Sequence, residues 1–503
     1  MKNFLNRLTK LFGSRAFFIG IIVFFVIEAV WIALSAIYPM PFDEDFHFGL
    51  IKIYATHWSP FLTSHPDGAD AFGAVTRDPS YLYHYLMSFP YRLLTHIVSD
   101  ETTRIIILRL INVAFFTYAL VLFRKVLLRL THSPAFTHVA LGVFVLIPIV
   151  PQLAAHINYD NLLMVLVAWA CLLVTDVHRE FTAGRFELRS LLALLVLALF
   201  SSVVKYSFLP IFAAIVIFLC IDGFTAFRTW DKLKKATSVN FKGIAPKTRI
   251  GMLLLLVLGG LFFFQRFGVN MIKYHTPVPS CDQVLNYDHC SAYGPWIRDY
   301  NYAQEREESS EIGQGNPIKY SGQWVEGLWW RLFFAINSSA RNYTNYPPLP
   351  FPSITAVILA SAMTVLFIIY FKRIVSRPLL LFSLLVIIFY CGALWLDNYK
   401  MYTETGHAVA VNGRYLIPVL PLMAAIGWRG FWILTQRMQQ VRPALAMAVL
   451  LLFLQGGGLF TFIMRSDASW YWPNNSVIKV NDTARNILDP FIIQGSKHTK
   501  TVL

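Results

Sequence analysis

Long apolar runs constrain this chain more than any other feature. Residues 16–38, 190–221, 250–268, 353–371, 378–396, 414–435 and 443–464 carry few charges, and a helix needs about 20 apolar residues to cross the hydrocarbon core of a bilayer. Three further spans are expected at 104–123, 135–151 and 160–175. The run 190–221 is too long for one crossing and holds Lys205 and Pro210, so it reads as two short helices with a turn near Lys205. The result is an all-α membrane protein with about eleven transmembrane helices. Charged residues make up only 14% of the chain, against roughly 25% in soluble proteins, which excludes an ordinary soluble domain.

Basic residues set the orientation, because short cytoplasmic segments collect Lys and Arg. Lys2, Arg7, Lys10 and Arg15 precede the first span, and Arg124, Lys125, Arg129, Arg179, Arg185 and Arg189 fall on the same side. So do Arg228, Lys232, Lys234, Lys235, Lys242, Lys247, Arg249, Lys372, Arg373, Arg377, Arg437 and Arg442. A cytoplasmic N-terminus and an outside C-terminus follow, with the first span kept as an anchor. The net charge of +15 is then mostly a topology signal, and no nucleic-acid partner is expected. A bacterial cytoplasmic membrane is the expected location, with an endoplasmic-reticulum origin left open by four N-x-S/T triplets at Asn337, Asn342, Asn474 and Asn481.

The chain divides into an N-terminal membrane half (1–268), a long outside loop (269–352), a C-terminal group of spans (353–464) and an outside tail (465–503). Cys281 and Cys290 share the long loop and suit a disulfide in an oxidising compartment, while Cys171, Cys220 and Cys391 read as small core residues. No P-loop, GxGxxG pattern or clustered Cys/His metal spacing is present.

Polar residues with chemical potential gather on the outside. Asp43, Glu44 and Asp45 follow the first span directly, with His47 one turn later if a helix starts there. Repulsion among three carboxylates is expected to raise at least one pKa and so suit a general base; the plainer reading is a helix cap at Asp43. Residues 79–98 suit a helix in the interface plane, with Tyr81, Tyr85 and Arg92 at headgroup level, and 323–334 suits a second one. Arg109 stands between Ile105-Ile106-Ile107-Leu108 and Leu110-Ile111, where an arginine usually faces a partner or cavity and can bind phosphate. Lys205 and Arg414 place further cations at the outer ends of spans, Asp160 is first read as a helix cap, and Glu28 as half of an unidentified structural pair.

Asp43-Glu44 with His47, Asp78-Pro79-Ser80-Tyr81, Arg109-Leu110, Asn158-Tyr159-Asp160 and Asn412-Gly413-Arg414-Tyr415 resemble motifs of the GT-C membrane glycosyltransferases, most clearly over residues 16–220. That superfamily includes protein mannosyltransferases and aminoarabinose transferases. The resemblance implies a polyprenyl-phosphate-linked sugar donor, a hydroxyl acceptor on a glycan, lipid or protein, and transfer with inversion. It implies Asp43 as catalytic base with Glu44 beside it; Asp45 departs from the usual two-acid pattern. Arg109 matches an arginine on the donor phosphate, and Lys205, Arg414, Asp45, His47, Tyr81 and Asp160 are further substrate-binding candidates. No cofactor is required, and a divalent metal is open but not favoured. The competing reading is a transporter or flippase for a lipid-linked saccharide; no inverted repeat supports it.

Overall fold

A computed structural model describes residues 2–229, 231–232, 234, 244–308, 315–333, 335–339 and 342–495. Among the described residues, eight helices are long and apolar enough to cross a membrane: Arg15–Ser35, Glu101–Thr131, Tyr159–Thr182, Tyr206–Phe227, Pro246–Tyr274, Pro350–Val375, Pro378–Thr405 and Val441–Arg465. Three shorter apolar helices accompany them, at Pro134–Val145, Leu188–Val204 and Leu420–Leu434. Apart from a two-stranded hairpin, Ala335–Ser339 with Asn342–Tyr346, the regular structure of the described residues is helical.

The short helices have local causes. Val145 ends the first of them where Pro148 removes a backbone donor, and a separate helix, Ile149–Ala154, follows. The run 190–221 does divide at Lys205, into Leu188–Val204 and Leu209–Phe227 joined by a 3-10 turn, with Pro210 in the first turn of the second helix. Residues 414–435, expected as one span, instead form a 3-10 turn at Gly413–Leu416 and a helix from Leu420, because Pro418 and Pro421 interrupt the run.

The helices Glu101–Thr131 and Tyr159–Thr182 pack along each other at the centre, around Phe25, Phe116, Phe123, Phe144 and Val167. A second apolar cluster packs Phe48, Tyr54 and Tyr81 of the segment 39–103 against Leu108 and Val203 of the apolar helices. That segment contributes two mutually packed helices, Glu44–Ala55 and Leu82–Ile97. The second buries Tyr83, His84, Met87 and Tyr91 and exposes an apolar stripe of Leu86, Phe89, Leu93 and Ile97. Tyr81 is buried rather than placed at a surface, and Arg92 donates to the carbonyls of Tyr54 and Ala55 at 2.6 and 2.8 Å, closing the end of the Glu44–Ala55 helix. Its guanidinium stacks 4.3 Å from the Trp58 ring. The helix Pro317–Phe333 buries Tyr320, Trp324 and Leu328 against Trp395 and Tyr399, and Trp324 Nε1 donates to Asn398 at 3.0 Å.

The tail folds back on the end of the first span. Trp472 N donates to Ser35 O at 3.1 Å, and Asn481 on the helix Asn475–Leu488 accepts from Trp31 Nε1 at 2.9 Å and donates to Ser35 Oγ at 3.1 Å. Asn481 is wholly buried, so that triplet presents no accessible amide for a glycan; Asn474 caps the same helix. The side chains of Asn337 and Asn342 lie outside the described residues. Cys281 and Cys290 form a disulfide. Cys171 is buried as expected, but Cys220 is exposed on the surface of its helix.

Glu28 finds its partner at the other end of the sequence. Its Oε1 accepts from Leu459 N at 2.8 Å, where the last apolar helix restarts after Gly456-Gly457-Gly458. Gly458 has φ +58°, and a Cβ there would run into Glu28 Oε1. Gly458→Ala therefore pays both a backbone and a steric penalty, and the thermal midpoint in detergent should fall with a loss of more than about 1 kcal/mol. An unchanged midpoint would show that this turn is not held as described.

Candidate functional site

The acidic trio is split among three environments. Glu44 opens the helix Glu44–Ala55 and is fully buried with Arg109. Arg109 Nε and Nη2 donate to the two carboxylate oxygens at 2.8 and 2.6 Å, in the bidentate geometry that guanidinium favours. Arg109 Nη1 donates to Ala36 O at 2.6 Å and Ala33 O at 3.2 Å. Glu44 also accepts from Met40 N at 2.8 Å and Ile157 N at 3.3 Å. Both groups are saturated by protein, so Arg109 is not placed to hold a donor phosphate. The pair instead ties the end of the first span to the second span and to the approach of the third. Burial alone would raise the Glu44 pKa, but Arg109 outweighs it and holds the carboxyl below its ordinary range.

Asp43 is the open member. Phe42 and Asp43 both have positive φ, at 73° and 69°, a strained pairing for non-glycine residues that clusters at functional sites. The strain is held by Arg414 Nη1 and Asn158 Nδ2, which donate to Phe42 O at 2.8 and 3.1 Å. The turn points the Asp43 carboxylate away from the helix it precedes. It makes no side-chain cap and accepts instead from Arg414 Nη2 at 2.5 Å. Its side chain is 57% exposed, while that of Arg414 is 5% exposed. Protein close on several sides pushes the Asp43 pKa upward, but Arg414, Lys205 and His156 outweigh this and lower it. The expected rise in pKa from mutual repulsion is thus reversed for Asp43 and Glu44, because each has its own guanidinium. Asp45 faces outward and accepts from Phe46 N at 2.9 Å.

Lys205 sits between its two helices with Nζ 2.6 Å from Asp160 Oδ1. Asp160 does not cap the helix Tyr159–Thr182; Asn158 does, accepting from Asp160 N at 2.9 Å, which frees Asp160 for the lysine. The ammonium lies 4.4 Å from the Tyr159 ring and 5.1 Å from the Tyr415 ring, and Arg414 is 5.1 Å from the same Tyr415 ring. Asp43, Arg414, Tyr415, Tyr159, Lys205 and Asp160 therefore form one cluster: two buried cations, a buried acid and an open carboxylate.

His47 belongs to the support beneath it. Its Nδ1 is 2.8 Å from His84 Nε2, the two rings stack, and Tyr159 meets the His47 ring edge-on at 4.4 Å. The imidazole does not pair with a carboxylate, because the Asp43 side chain turns to Arg414. Tyr83 OH and Asn161 Nδ2 both donate to Asn112 Oδ1, at 2.9 and 3.1 Å, fixing the helices below. Burial pushes the His47 pKa well down, that of His84 to about 3 and that of His156 to about 4. Below about pH 6.5 the unfolded chain therefore binds protons that the folded chain refuses, so stability is constant above that pH and falls beneath it. The expected slope is about 1.4 kcal/mol per pH unit for each such histidine. Thermal midpoints from about pH 7.5 to about pH 5 should show the decline, with a shallower slope for His84→Phe. A flat wild-type profile would contradict this.

Sequence reasoning gave Asp78 and Arg266 too little weight. Asp78 accepts from Ser80 N at 2.9 Å, and burial raises its pKa, against the lowering effects of that bond and of Arg266. Arg266 lies in a π-helical turn, fully buried, 4.5 Å from the Tyr81 ring. Its signal was available: it is an arginine at the end of an apolar run, the feature that singled out Arg109. Tyr293 contributes from the disulfide-bearing segment, where burial raises its hydroxyl pKa and the Asp78 and Asp43 charges add to the rise.

No protein-family model matches this chain, and no curated protein matches it by sequence.

Proposed function

We propose that this chain is a membrane glycosyltransferase that moves a sugar from a polyprenyl-phosphate donor to a hydroxyl acceptor, with inversion. The observation that carries the reading is the open Asp43 carboxylate set beside buried Arg414 and Lys205. Asp43 takes the proton of the acceptor hydroxyl as its oxygen bonds to the anomeric carbon. The bond from that carbon to the phosphate oxygen breaks, and polyprenyl phosphate leaves with the electron pair. Negative charge grows on the departing phosphate, where fixed cations in a partly dehydrated site stabilise it most. A base with a lowered pKa accepts the proton late, when the attacking oxygen has lost most of its basicity.

The wider reading assigns eleven crossings, counting the eight long helices and the three short ones. The C-terminal tail pairs with the end of the first span at Ser35 and Ile37, just before the Asp43 segment, so both then share the non-cytoplasmic side. The stripe Leu86, Phe89, Leu93 and Ile97 suits a helix lying along the bilayer surface, beside which a donor's lipid tail would remain in the membrane. Glu44 and Arg109 are structural in this account, with Asp43, Arg414, Lys205 and Asp160 at the site.

The test uses purified chain in nanodiscs, a panel of polyprenyl-phosphate sugars and native envelope extract as acceptor. Free polyprenyl phosphate should accumulate with at least one donor, in step with acceptor glycosylation. Movement of an intact donor between leaflets without cleavage would replace this reading with transport.

A further inference from the structure

Away from the cluster just described, His65, Asp70 and His289 meet across two segments far apart in sequence. Asp70 Oδ1 lies 2.8 Å from His65 Nε2 and 2.8 Å from His289 Nδ1. The imidazole rings are tilted at 60° with centroids 5.4 Å apart, so they approach the carboxylate from different directions. One potential ligand atom from each residue falls within 4.8 Å of the others. We infer that these three residues bind a divalent transition-metal ion of the zinc class, joining the segment 39–103 to the disulfide-bearing segment.

The donor set selects the ion class. Two imidazoles and one carboxylate suit zinc, whereas calcium and magnesium require mostly oxygen ligands. Zinc–nitrogen and zinc–oxygen bonds of about 2.0–2.1 Å place tetrahedral ligand atoms about 3.3–3.4 Å apart. The two aspartate–histidine separations of 2.8 Å are shorter, so an ion would enter by moving each imidazole back from Asp70 by about half an ångström. Three protein ligands leave a fourth position for water.

Local structure holds the ligands near this arrangement. His289 lies in the short helix Tyr287–Ser291, next to the disulfide-bonded Cys290. Asp70 begins a 3-10 turn that ends at Gly73, whose α-carbon packs so closely on the Tyr293 ring that a Cβ would collide with it. The metal would therefore fix the segment that carries Tyr293, four residues beyond His289. The role is structural, and it does not depend on the transfer reaction.

The test is zinc titration of the full chain, bearing no polyhistidine tag, in detergent, with magnesium as the control. Calorimetry should show one saturable zinc per chain, zinc should raise the thermal midpoint, and magnesium should do neither. His289→Ala and His65→Gln should each weaken zinc binding by more than about tenfold, while their metal-free midpoints and the intact disulfide report the fold. Absence of saturable zinc binding by wild type would overturn the inference. So would a folded variant that binds zinc as tightly as wild type, which would leave the triad as a purely hydrogen-bonded contact.

Discussion

Arg109→Met should destabilise the protein by about 3–5 kcal/mol, the usual penalty for leaving one member of a buried ion pair alone. The size follows from how completely the pair is enclosed. Glu44 and Arg109 are both fully buried, and Arg109 also satisfies carbonyls at the end of the first span. Methionine keeps much of the volume but leaves a buried carboxylate whose other donors are two backbone N–H groups. Glu44→Gln combined with Arg109→Met should recover much of the loss, because it removes the stranded charge. Denaturant or thermal unfolding in detergent measures both. A single variant as stable as wild type, or a double variant worse than the sum of the singles, would show that the pair does not organise this junction.

Lys205→Met should lower the rate of polyprenyl phosphate release by about 10²–10³, the scale seen when one charge-stabilising donor is removed from a reaction site. The ammonium is buried against Asp160 and stands over the rings of Tyr159 and Tyr415. Its loss also strands Asp160, so a stability defect would accompany the rate defect. Lys205→Met with Asp160→Leu separates the two effects: the fold should recover while turnover stays low. Recovery of turnover along with the fold would assign the pair to structure alone.

The overall helical membrane architecture was legible because bilayer thickness imposes a length on apolar runs. The turn at Lys205 was legible too, since a charge and a proline interrupt the same run. The breaks at Pro148 and Gly456-Gly457-Gly458 lie inside runs whose mean hydropathy stays high, and hydropathy registers neither the backbone donor that proline lacks nor the positive φ that glycine permits. Arg109 was conspicuous because charge is expensive within a span, but nothing local showed that Glu44, 65 residues earlier, would saturate it. From sequence Asp160 reads as a cap because it stands at a helix start. Asn158 stands there as well, and which of the two caps depends on the pull of Lys205 from another helix. Asp70 and His289 are 219 residues apart, so no spacing motif could have joined them.

Asp43 is the open carboxylate on which the proposed transfer depends, and Asp43→Asn tests it most directly. Asparagine preserves size and can still accept from Arg414, so the variant should fold, with only a modest drop in thermal midpoint for the charge that Arg414 loses. Release of free polyprenyl phosphate from the active donor should fall by about 10²–10⁴, the range attributed to a positioned base. Release undiminished in a folded Asp43→Asn protein would contradict the assignment.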